Sequence, residues 1–76
     1  MAVANPADFA SACQEAMVAV LAAIAAGGTE RRRLLTTAKS AVARASHDAH
    51  SSAEWCLADQ LRRAIKDVEA RVQDAA

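Results

Sequence analysis

The sequence predicts an all-α chain of one domain, residues 1–76, folded as an antiparallel helical hairpin whose second helix is much the longer. Three observations carry this. Alanine, leucine, glutamine, glutamate and arginine, which lose the least freedom in a helix, dominate the 76 residues. Apolar positions recur at spacings of three and four along nearly the whole chain. The strong helix breakers stand at two places only, Pro6 and the pair Gly27-Gly28.

The first breaker marks a start. Asn5 can cap a first turn, Pro6 suits the first helical position, and Asp8 completes an Asn-x-x-Asp variant of the capping box. Helix 1 is expected over about 6–26. Phe9, Cys13, Ala16 and Val20, continued by Ala23 or Ile24, form its main stripe, and Met17, Leu21 and Ile24 form a second stripe beside it. That apolar face is too wide for one partner helix to cover; two could cover it.

The second breaker marks a turn at 27–29, with a glycine in the left-handed region and Thr29 as the next cap. Glu30 suits the positive end of the following helix, whereas Arg31, Arg32 and Arg33 do not. From Glu30 onward there is neither glycine nor proline, and Leu35, Ala38, Val42, Ala45 and Ala49 lead in phase to Leu57, Leu61 and Val68. The expected helix 2 therefore runs over about 30–74, roughly 68 Å against roughly 31 Å for helix 1. The alternative is a three-helix bundle broken in the polar stretch 46–52, where Ser51 would cap and Glu54 would close a Ser-x-x-Glu box. The absence of glycine and proline favours continuity.

A continuous second helix leaves Leu57, Leu61, Ile65, Val68 and Val72 beyond the reach of helix 1. The expected solution is a second copy, two hairpins dimerising into a four-helix-type bundle, or another protein chain in its place. Composition points the same way. Alanine supplies 22 residues and Leu, Ile, Val, Met, Phe and Trp together only 17, so a single copy has little area to bury.

Net charge is zero. Residues 29–45 carry a balance of +4, offset by −2 on either side. A chain without a basic surplus is a poor fit to the nucleic-acid backbone. The unbroken apolar run from Ala16 to Ala26, eleven residues, is shorter than the roughly 20 that span a bilayer. The segment before it carries no Lys or Arg, unlike an export signal. These features, with only two cysteines, lead to an expected cytoplasmic location with free thiols and no membrane contact.

Four groups of residues carry possible chemistry. His47, His50 and Glu54 share a helical face and include metal-ligand types, but no facing helix supplies a matching set, so no metal or other cofactor is expected. Cys13 and Cys56 read as small buried hydrophobes with no base beside them. Arg31, Arg32 and Arg33 are the basic cluster, suited to an acidic protein surface and less well to nucleic acid, since no aromatic accompanies them. Trp55 beside Leu57 is placed as an interface anchor. No glycine-rich phosphate loop, paired core carboxylates or Cys-x-x-Cys occurs. The expected role is a non-catalytic protein–protein interaction module (adaptor, small chaperone, regulatory subunit or assembly component). Trp55, Leu57, Leu61, Ile65, Val68, Val72 and Arg31–Arg33 are its expected contacts. A nucleic-acid-associated regulator and a metal-binding bundle are the alternatives.

Overall fold

The computed structural model describes residues 6–75, and side chains over residues 8–71. The Asn5 cap and the Val72 side chain lie outside the described residues. Three helices follow in order: α1 (Pro6–Ala25), α2 (Gly28–Asp48) and α3 (Ser52–Ala75). They pack as an up–down–up bundle in which every pair touches, α1 with α2 most extensively. The body measures 46 × 19 × 15 Å.

The expected long second helix is absent. It breaks at 49–51, and α3 folds back along the other two helices, so the fold is a three-helix bundle and not a hairpin that dimerises to four helices. Two physical reasons explain the break. Ser51 Oγ accepts the Glu54 backbone N–H at 3.1 Å, and Glu54 Oε1 accepts the His50 N–H at 2.7 Å. This is the anticipated Ser-x-x-Glu cap, with the carboxylate reaching one residue further back than in the usual box. The corner also needs no glycine. Ala49 takes an ordinary extended conformation, φ −72° and ψ 131°, and no described non-glycine residue has a positive φ. Absence of glycine and proline was therefore no evidence of continuity. Folding back buries Ala58 and Ile65 and partly buries Leu61 and Val68, which a straight helix would have left in water.

The α1–α2 turn also differs in detail from expectation. Gly27, extended, is the N-cap of α2 and offers no side-chain cap, so Thr29 already lies inside the helix. Gly28 carries the positive φ, +59°. A Cβ at Gly28 would meet nothing within 4 Å, so conformation and not space requires glycine there.

Alanine dominates the core. Along the α1–α2 seam Ala16, Ala23, Ala38, Ala41 and Ala45 are fully buried, which lets the two backbones approach closely. One layer holds Val20, Leu35, Val42 and Ile65; another, nearer the α1 N-terminus, holds Phe9, Cys13, Ala49 and Ala58. Leu61 packs against both. Exposed ion pairs, Glu15 with Arg44 and Lys39 with Glu69, tie α2 to its two neighbours and add little net stability.

Candidate interaction surface

Folding α3 back redistributes the expected contact residues. Ile65 is only 2% exposed and lies in the chain's own core, with Leu61 and Val68 partly buried against it. Leu57, 41% exposed, and Trp55, about half exposed, remain at the surface. At 100° per residue they lie roughly 200° apart around α3, so they do not form one patch.

The basic cluster is divided as well. Arg31 reaches back across the turn: its Nε donates to the Ala23 carbonyl at 2.9 Å, and its Nη2 donates to the carbonyls of Ile24 and Ala26. It thus caps the end of α1, whose last turn has no basic residue of its own. Arg33 pairs with Glu30 at 2.6 Å. Arg32 is exposed and, among the described residues, forms no ion pair.

The bundle leaves a different surface uncovered. Met17, Leu21 and Ile24, the second stripe of α1, are 49%, 64% and 55% exposed. Two helices pack on α1, yet both engage the main stripe of Phe9, Cys13, Ala16, Val20 and Ala23. The second stripe turns outward beside the line where α1 meets α3. Leu57 lies across a shallow groove from Met17 and Leu21, with Phe9 and Cys13 forming part of its wall. Extended N-terminally, the stripe reads Ala10, Gln14, Met17, Leu21, Ile24, all exposed and spaced four, three, four, three. That is the spacing of a coiled-coil seam. It contains no charge, and α1 as a whole carries only Asp8 and Glu15.

The remaining candidates do not gather into a reactive site. His47 lies in the last turn of α2 and His50 in the corner, both exposed. Glu54 is engaged by the His50 backbone amide. Among the described residues no group of three His, Cys, Asp or Glu side chains is placed to hold a metal ion. Both thiols are free. Cys13 is buried as expected, and burial, with the negative Glu54 as a smaller cause, pushes its pKa up and away from the reactive thiolate. Cys56 is exposed, contrary to its reading as a core residue, because the corner sets the phase of α3 and turns that position outward.

The apolar character of α1 extends beyond its uninterrupted run. The 18 residues Asp8–Ala25 are long and apolar enough, by length and composition, to cross a membrane, and 39% of that window is buried in the bundle. Comparisons with protein-family models, with curated proteins and with solved structures each find no match.

Proposed function

We propose that this protein is a non-catalytic protein–protein interaction module whose contact surface is the outward stripe of α1, widened by Leu57 across the groove. The observation that carries the reading is the exposure of Met17, Leu21 and Ile24, three large apolar side chains in one seam on a chain with few large side chains. Contiguous exposed apolar surface of this kind marks association sites. Its spacing favours a helical partner, which would set knobs between the seam positions.

One feature favours protein over lipid as the occupant: α1 has no Lys or Arg to reach lipid headgroups. The nucleic-acid alternative is weakened because Arg31 and Arg33 already have partners within the chain. The test is site-specific photo-crosslinking from position 21, with position 40 on the exposed side of α2 as control. Protein adducts of defined mass at 21 and not at 40 are expected. Adducts with lipid alone, or equal labelling at both positions, would overturn the reading.

A further inference from the structure

We propose that the groove between α2 and α3 is a binding site for a small organic phosphate, a phosphate monoester carried on a compact apolar body. Lys39 and Ser46 stand on its α2 wall, and Arg62, Lys66 and Glu69 on its α3 wall. Val42 and Ile65, both buried, close the floor, with the exposed Ala43 beside them. The groove holds about 290 Å³, near the lower bound of about 300 Å³ for small-molecule pockets. Three cations against one carboxylate leave the lining at +2, and it stays positive by one when Asp59, the partner of Arg62 from outside the lining, is counted. The chain as a whole is neutral, so this surplus comes from placement and not from composition. Lys66 is exposed and, among the described residues, forms no ion pair. Lys39 and Arg62 have partners in Glu69 and Asp59, but pairs this exposed contribute little and exchange readily for a stronger acceptor.

The two-walled arrangement selects the head group. A carboxylate is planar and suits donors on one side. A phosphate monoester spreads three acceptor oxygens and up to two negative charges, so it can accept from Lys39 and Ser46 on one wall and from Arg62 and Lys66 on the other. The aliphatic stems of the three long cations, with Ala43, suit the apolar body. Neighbouring grooves lack this combination. The one between α1 and α2, lined in part by Gln14, Glu15 and Thr37, has no cation. The one between α1 and α3 holds Arg31 and Arg71, but Arg31 is engaged with the α1 carbonyls and Arg71 with Asp67, so no cation there is spare. The α2–α3 site shares no residue with the outward stripe of α1, and its failure would leave that reading untouched.

Titration of the full chain with phenyl phosphate, followed by backbone amide NMR shifts, tests the proposal. Saturable shifts centred on residues 39–46 and 62–69 are expected, with a dissociation constant of roughly 0.1–1 mM for so small a probe. Benzoate, the same ring with a planar head, should bind at least about 5-fold more weakly. Lys66→Glu should weaken phenyl phosphate binding at least about 10-fold. Ala43→Leu, which fills the groove and leaves its charge alone, should abolish saturation. Both positions are exposed, so circular dichroism should not change. Arg32→Glu makes the same charge change at an exposed α2 position outside the lining and should weaken binding less than about 2-fold. Shifts that fail to saturate by about 10 mM overturn the proposal. So do equal losses in Lys66→Glu and Arg32→Glu, which would show general attraction of charge without a site. Benzoate binding as tightly as phenyl phosphate overturns the choice of head group.

Discussion

Ile65 is the largest fully buried side chain of the bundle, and truncating it tests whether α3 is held as described. Its cluster holds Val20, Leu35, Val42 and a set of alanines, with Leu34, Leu61 and Val68 packed against it. The alanines have no side chain that can swing into a vacated space, so only the partly buried Leu34, Leu61 and Val68 can shift towards it, and Ile65→Ala should leave part of its cavity unfilled. The expected loss is about 2–5 kcal/mol. A chain of this length has a total stability of roughly 4–11 kcal/mol. The variant should thus melt roughly 10–30 °C lower, and at the upper limit α3 should come away from the α1–α2 pair. Urea and thermal unfolding followed by circular dichroism give both numbers. A loss under about 1 kcal/mol would mean that Ile65 is not packed in its own chain's core, and the bundle arrangement would be refuted.

Three other outcomes follow. Ser51→Ala removes the acceptor for the Glu54 amide and should cost about 1 kcal/mol in urea unfolding, with the same fold; no change would show that the corner is set by packing alone. Arg31→Ala should destabilise by about 1 kcal/mol through the loss of charge-assisted bonds to the α1 terminus, whereas Arg32→Ala should be neutral; equal effects would refute the capping role. Maleimide should label Cys56 well before Cys13. Because the folded pKa of Cys13 is raised, stability is full below the ordinary thiol value of 9.0 and declines as pH rises past it towards the folded value. Cys13→Ala should remove that alkaline decline in urea midpoints, and a decline that persists would assign it to another group.

The all-α character was legible because helices announce themselves locally. Pro6, Gly27 and the three-and-four spacing placed α1 and its turn to within one or two residues. The corner at 49–51 was legible as a cap, Ser51 with Glu54, but not as the outcome of a competition. Whether a cap-competent stretch breaks depends on how much surface α3 buries when it returns, and that is a tertiary quantity. The same global term moved Ile65 inward and Cys56 outward, since a new helix start resets which residues face the core. Arg31 shows a different gap. Its charge was visible, but its partners are carbonyls across the turn, and backbone acceptors leave no trace in residue types. The seam of Met17, Leu21 and Ile24 was visible as a stripe from the start; only packing could show that two neighbouring helices leave it open.

The alanine core has a thermal consequence. Among the described residues nine of the fifteen buried in the core are alanine, so unfolding releases many small methyl surfaces and few large ones. The heat capacity of unfolding follows newly exposed apolar area and should fall below the usual range of about 12–15 cal/mol/K per residue. A smaller heat capacity flattens the curve of stability against temperature. Between refrigerator and body heat this bundle should therefore change its stability little, and the loss of a single branched side chain should matter more than the weather.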